Sequence, residues 1–358
     1  MQLMNENFFE KQQRKADQAT ASTQNGDYDF ADLIPEIVLD AIHSLGYQED
    51  GRMLALNSYE NRVYQLGMED GPPLIAKFYR PGRWSNQQIQ EEHDFLRELA
   101  LHEIPVIAPL TAVDQETTLQ HYQHFRFAIF PRQGGRAPEL DAPDTLQWLG
   151  RYLGRIHALG ASKAFEFRPE LNPIEFGEKP LKYLVDEACL PKDLNEAYQS
   201  IARQMLDKVR SAFDDVGDYA RIRLHGDCHL GNVLWLEASG GGSSSGPHFL
   251  DFDDSRSGPA VQDLWMLLSG SRREMQDQLC DLLEGYEDFC DFDTRQLSLI
   301  EPLRCLRLLH YSAWLAQRWN DPAFQLAFPW FGTQHYWQDR ILEMREQVAL
   351  LDEPPLQV

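Results

Sequence analysis

Leu224–Asn232 reads LHGDCHLGN, two histidines, an aspartate, an asparagine and two glycines set behind an apolar lead-in. Two chemistries suit such a stretch. One is a zinc site on His225, Asp227 and His229, because H-x-D-x-H supplies metal-ligating residue types. The other is a loop that handles a phosphate and its magnesium. Asn232 stands five residues after Asp227 and opens the short strand NVLWLE, and Asp251 falls at the end of a second apolar run, HFLDF. This order puts three oxygen donors on a strand-loop-strand hairpin. Magnesium takes oxygen ligands, so one carboxylate and one amide with nucleotide phosphates suffice. A further carboxylate beside an acceptor hydroxyl orients it and takes its proton. The zinc reading fares worse: Gly226 and Gly231 indicate a loop rather than an aligning strand, and no second His or Cys cluster supplies the remaining ligands at motif spacing.

Outward from this loop, the pattern divides the chain in two. Apolar residues from Ile34 to Leu45 recur at three and four and stop at Gly46, which predicts a helix. GRMLALNSYENRVYQLGMEDGPPLIAKFYR then holds alternating runs joined by EDGPP, an antiparallel hairpin. Ser85–Leu101 reads as a helix N-capped by Ser85, and IPVIAPLTAV and HFRFAIFPRQGG as two further strands. Beyond Gly135 the period becomes helical over TLQWLGRYLGRIHALG, Leu194–Phe213, Glu274–Phe289, Leu297–Arg318 and Tyr336–Leu351. The expected organisation is a polar tail over 1–30, a nucleotide-binding lobe over 31–133, a short hinge near Gln133–Ala137, and a helical lobe over 134–358 carrying the catalytic and magnesium loops. ASGGGSSSGP between the two short strands reads as a lengthened hairpin loop. The aromatic residues Trp314, Trp319, Phe324, Phe328, Trp330 and Phe331 are expected in the core of the helical lobe.

Composition narrows the function. With 33 Lys and Arg against 56 Asp and Glu the formal charge is −23, which repels nucleic acid and anionic membranes and leaves room for cationic substrates. Neither a membrane-spanning run nor a secretory apolar segment is visible. Five cysteines form no C-x-x-C pair, which fits a reducing cytoplasm better than a disulfide framework.

Upstream, AKFYR sets Lys77 at a strand end before the helix EEHDFLREL. Glu92, one turn before Phe95 and Leu96, is the expected ion-pair partner, with Glu91 as the alternative. The turn Asn57–Arg62 replaces a glycine-rich phosphate loop; Ser58 and Asn61 are its candidate nucleotide-contacting residues, since Asn and Ser tolerate tight turns.

LHGDCHLGNVLW followed by FLDFDDSRSGPAVQDLW resembles the Brenner motif and magnesium segment of the aminoglycoside phosphotransferase-like kinases. The resemblance implies Asp227 as catalytic base, Asn232 and Asp251 as magnesium ligands, Asp263 as a scaffold for the loop and His225 as its support. Taken with RMLALNSYENRVYQL, AKFYRPGRW, IPVIAPL, LDFDD, FPWF and EPPLQ, the chain after its first thirty residues resembles the bacterial stress response kinase A family. That implies an α+β, bilobal, protein-kinase-like fold and a cytoplasmic, monomeric, ATP- and magnesium-dependent serine/threonine protein kinase of the stress response. The alternative is a small-molecule kinase acting on an amino alcohol, an aminoglycoside or a similar metabolite. Residues favour it in two places: Phe252–Ala260 is too short for a long activation segment, and Gly226 stands where regulated protein kinases carry an arginine. A non-catalytic nucleotide binder would lack a base, lysine or metal ligand, and none is missing.

Overall fold

The computed structural model describes residues 30–112, 117–142, 144–237 and 246–358. The expected tail, apart from Phe30, and the GGGSSSG insert, apart from Gly246, lie outside the described residues. In chain order the elements begin with α1 (Pro35–His43), β1 (Glu49–Leu56), β2 (Arg62–Met68), β3 (Leu74–Phe78), α2 (Asn86–Leu101), β4 (Gln120–Tyr122) and β5 (Phe125–Pro131). There follow α3 (Thr145–Gly160), α4 (Lys179–Asp186), α5 (Asn195–Val216), β6 (Ile222–Leu224), β7 (Val233–Leu236), β8 (Gly246–Phe249) and β9 (Arg256–Gly258). The chain closes with α6 (Val261–Trp265), α7 (Arg272–Tyr286), α8 (Ile300–Gln317), α9 (Pro322–Ala327) and α10 (Gln334–Leu350).

Packing gathers the chain into two compact units that are discontinuous in sequence. The first takes the described residues up to Arg136 with Leu234–Asp253 and Asn320–Ala327; the second takes Ala137–Val233, Asp254–Trp319 and Phe328–Val358. Asp251 therefore belongs with the N-terminal sheet, not with the helices among which the sequence order had set it. Phe324 is a second departure: it packs edge-on against Tyr59 in the first unit, with ring centroids 6.5 Å apart, instead of joining the helical core.

In the first unit the sheet runs β1-β2-β3-β5-β4 with antiparallel neighbours. The two-residue period of a strand sorts its faces. Leu74, Ala76 and Phe78 of β3 and Phe125, Phe127 and Ile129 of β5 join Val38, Ala41 and Ile42 of α1 in one apolar cluster. Lys77, between Ala76 and Phe78, takes the opposite face, paired in register with Ala128 and Val63. The strand expected over IPVIAPLTAV does not form: Val106 and Leu110 make only isolated bridges, to Phe249 and Ile129. Pro105 and Pro109 lack the N–H groups a ladder needs.

The second unit is helical around two short strands, β6 and β9, paired Ile222↔Gly258 to Leu224↔Arg256. α3 crosses α7 at glycines, where backbone meets backbone. The aromatic residues Phe328, Phe331, Tyr336 and Trp337 are buried in this unit.

Candidate active site

Lys77 is the centre of the first unit's polar site. Its side chain is 9% exposed, with Nζ 3.1 Å from Asp251 Oδ1, 3.2 Å from Asp253 Oδ1 and 3.7 Å from Glu92 Oε1. Burial works against the ammonium, but the carboxylates of Asp253, Asp251 and Glu92 outweigh it and hold its pKa well above the usual lysine value. Glu92 reaches it because α2, started by a reciprocal cap between Ser85 and Gln88, buries Ile89, Glu92, Phe95, Leu96 and Leu99 on one stripe. Glu91 lies off that stripe and is half-buried. Phe252 fixes the two aspartates that flank it, being fully buried against Phe95 with centroids 6.0 Å apart. Asp251 adopts φ +59°, a left-handed conformation that aspartate tolerates better than most residues, and its carboxylate is half-exposed.

The turn in place of a glycine-rich loop is held by arginines. Arg80 donates to the carbonyls of Glu60 (2.9 Å) and Tyr59 (3.1 Å), and Arg62 to that of Tyr59 (3.1 Å). Both arginines bond Asp321 at 2.7 Å. Asn61 is buried inside this frame, its Oδ1 accepting from the Arg80 N–H at 3.1 Å; Ser58 is half-buried in the same turn. Arg83 pairs with Asp253 and lies 3.5 Å from Glu60.

In the second unit β6 runs directly into the His225–Asn232 loop. Asp263, at the start of α6 and fully buried, accepts from the N–H groups of His225 and Gly226, each at 2.8 Å, and sits 3.0 Å from His157 Nε2. His157 Nδ1 in turn lies 3.0 Å from the Tyr286 hydroxyl. Gly226 has φ +86°, and a Cβ there would stand 2.2 Å from the Asp254 carbonyl, so glycine is required. His225 is fully buried, its Nδ1 accepting from the Asp227 N–H at 3.3 Å. Asn232 Nδ2 donates to the Asp227 carbonyl at 3.0 Å, which leaves the amide oxygen as its remaining acceptor.

Asp227 is a quarter exposed. Arg307 from α8 donates to its Oδ1 at 2.7 Å and His229 Nε2 lies 3.5 Å from its Oδ2. Burial favours the neutral acid, but Arg307 and His229 overcome it and hold the carboxyl far below the usual range. The zinc trio is dispersed: His225 is buried under the loop while His229 is 42% exposed and caps Gly231. Among the described residues no group of three or more His, Cys, Asp or Glu side chains is placed to hold a metal. Asp251 in the first unit has a half-exposed carboxylate, and Asn232 in the second has an amide oxygen not used by its own hydrogen bond to the loop.

Sequence reasoning missed Asp253, His157, Arg80, Arg83, Asp321 and Arg307. The doubled acid of LDFDD pointed toward Asp253; the others carry no local signal, since their partners lie far away in the chain.

A buried lysine clamped by carboxylates in one unit, and a loop pinned by a buried aspartate in the other, are in keeping with a phosphotransferase. The chain belongs to the phosphotransferase enzyme family, whose model matches residues 53–300. Within it the chain is a kinase of the stress response kinase A group. It is 44% identical over 334 residues to stress response kinase A of Escherichia coli strain K12, covering 93% of this chain and 98% of that one. It is 45% identical over 331 residues to the serine/threonine protein kinase RdoA of Salmonella typhimurium, covering 92% and 97%. The fold is also that of an amicoumacin kinase, hAmiN, solved in complex with AMP-PNP, Ca2+ and Ami (TM-score 0.69, 20% identity, 90% of this chain and 95% of that one). A microcompartment-associated aminopropanol kinase shares it as well (TM-score 0.64, 17% identity, 88% and 96%).

Proposed function

We propose that this kinase transfers the γ-phosphoryl group of ATP, with magnesium, to a serine or threonine of a protein, in the cytoplasm, as a monomer and in the service of a bacterial stress response. The observation that carries the reaction is the Lys77 clamp, one buried ammonium facing three carboxylates at 3.1 to 3.7 Å. The protein acceptor rests on 45% identity, across 92% of the chain, to a protein named as a serine/threonine protein kinase. The first unit is the nucleotide side, where Lys77 takes the α- and β-phosphates and Glu92 and Asp253 aim it. Ser58 and Asn61 belong to the turn over the phosphates, with Asn61 acting through the backbone it shapes. Asp251 and Asn232 are the magnesium ligands. Bound magnesium supplies neutralisation of the phosphate charge during transfer. Asp227 orients the acceptor hydroxyl and takes its proton as the acceptor oxygen bonds the γ-phosphorus, while Asp263 and His225 keep its loop in shape.

The runner-up, a small-molecule acceptor, is favoured by the nine-residue stretch Phe252–Ala260 that leaves no long activation segment, and by the small-molecule kinases that share the fold. In single-turnover assays Asp227→Asn should slow transfer about 10²- to 10⁴-fold while nucleotide binding, followed by calorimetry, persists. Wild-type turnover in Asp227→Asn would refute the assignment. Offering peptides, amino alcohols and aminoglycosides side by side decides the acceptor class.

A further inference from the structure

Arg307 stands on α8, far along the chain from the loop it touches, and its guanidinium is committed to the one carboxylate that the proposed chemistry needs for the acceptor hydroxyl. The contact is 2.7 Å, and Arg307 is 46% exposed, so water and an incoming group have access to the same fork of donors. Arg307 is also the first residue of a stripe. Tyr311, Trp314 and Arg318 follow it at four, seven and eleven residues on α8, the spacing of one helical face. Arg307 itself is exposed and the other three are partly exposed, while Leu303, Leu306, Leu309 and Ala313 are buried. Tyr311 stacks on Trp314 with centroids 5.6 Å apart, and the Arg318 guanidinium lies 5.6 Å over the Trp314 ring. Eleven residues of helix span about 16 Å, the length of roughly five residues of extended chain.

Arginines gather on and beside this face although the chain as a whole is acidic. Arg256, Arg307 and Arg318 all act on His310, next to the stripe on α8, where Asp254 opposes them; Arg256 is itself paired with Asp254 and Arg307 with Asp227. Surface carboxylates farther than about 8 to 10 Å are screened at ordinary salt, so the formal −23 does not decide what this face attracts. We propose that Arg307 and the stripe that continues it read an acidic acceptor segment. On this account the phosphorylated serine or threonine is flanked by a carboxylate, and Arg307 trades its bond to Asp227 for one to that carboxylate. The exchange leaves Asp227 to hold the hydroxyl. Its proton passes to Asp227 as the oxygen forms the new O–P bond, and the β,γ-bridging bond breaks with its electron pair leaving on ADP.

The proposal rests on the kinase reading, and its test separates the two. Peptides with one serine flanked by Asp and Glu, by Ala, or by Lys and Arg are offered to the full chain, with kcat and KM measured for each. The acidic peptide should be preferred at least tenfold in kcat/KM, chiefly through KM. Arg307→Gln should erase the preference, and Arg307→Glu should invert it toward the basic peptide. Arg318→Gln, farther along the stripe, should weaken the preference only for peptides with a second acid several residues away. Recovery of the inverted preference shows that the variant is folded. Transfer with no acidic preference, or an equal loss on all three peptides in Arg307→Gln, overturns the proposal and leaves the kinase reading standing. No transfer from ATP to any peptide or small molecule overturns both.

Discussion

Protonation of His310 sets a limit on the acid stability of the second unit. Its ring stacks on Phe176 at 4.5 Å, and the Arg256 guanidinium lies 4.3 Å over the same phenyl. Burial and then Arg256 lower its pKa to about 3, with Arg318 and Arg307 adding to the effect and Asp254 opposing it. In the unfolded chain the imidazole titrates near 6.5, so between about pH 6.5 and pH 3 the unfolded state binds the extra proton. Stability therefore falls as pH drops through this window, by at most about 1.4 kcal/mol per pH unit, and is unaffected by this group above it. His310→Phe keeps the stacked ring and removes the titration. Urea unfolding at pH 7.5 and pH 5 should show a smaller acid loss in the variant than in the parent, by about 1 to 2 kcal/mol. Equal losses would mean that His310 is protonated as easily in the fold as outside it. At this scale the sequence offers a signal only where candidate donors stand close along the chain, as Asp227, Asn232 and Asp251 do on either side of the β7–β8 hairpin. It was silent on Arg307, whose link to Asp227 spans 80 residues and leaves no spacing to read.

Between elements, the crossing of α3 and α7 depends on having no side chain at all. A Cβ on Gly150 would stand 2.0 Å from the Leu282 carbonyl oxygen, one on Gly154 2.4 Å from that of Tyr286, and one on Gly285 2.0 Å from that of Gln147. Backbone oxygens inside a helix cannot step aside, so Gly154→Ala must push the helices apart, at a cost of about 3 kcal/mol. The damage should travel, because Tyr286 holds His157, which holds Asp263 under the His225–Asn232 loop. We expect Gly154→Ala to lower the urea midpoint and phosphoryl transfer together, with nucleotide affinity nearly unchanged; an unchanged midpoint would show that the crossing relaxes freely. The helices themselves were legible from period: the sequence pattern over Thr145–Gly160 coincides with α3, and that over Ser85–Leu101 with its cap and α2. Their glycines carry no such signal, because a close approach of backbones needs the facing helix to define it. The short strands β4, β6 and β9, three residues each, are below the length at which alternation registers, and IPVIAPLTAV alternated well enough to pass for a strand although its prolines forbid the ladder.

At the scale of the whole chain, neither compact unit is one continuous stretch. The path passes from one unit to the other after Arg136, Val233, Asp253, Trp319 and Ala327. The last excursion, Asn320–Ala327, returns to the first unit from near the C-terminus and delivers Asp321 to Arg62 and Arg80. These arginines in turn hold the carbonyls of the Asn57–Arg62 turn, so the frame of that turn is completed by a carboxylate 259 residues beyond Arg62. Burial of Asp321 opposes its ionisation, but Arg62 and Arg80 prevail and lower its pKa, so its contribution holds above the ordinary value of 3.8 and is lost as pH falls through the lower folded one. Asp321→Ala would strip a buried Arg80 of its nearest carboxylate, a loss worth about 3 kcal/mol, at the low end for a broken buried pair because Glu60 remains 3.2 Å away. Hydrogen exchange should then quicken in Arg62–Met68 and Leu74–Phe78 while Ile222–Leu224 and Asn195–Val216 keep their protection, and nucleotide should bind more weakly. If protection falls equally in both sets, or in neither, Asp321 is not what joins this late segment to the first unit.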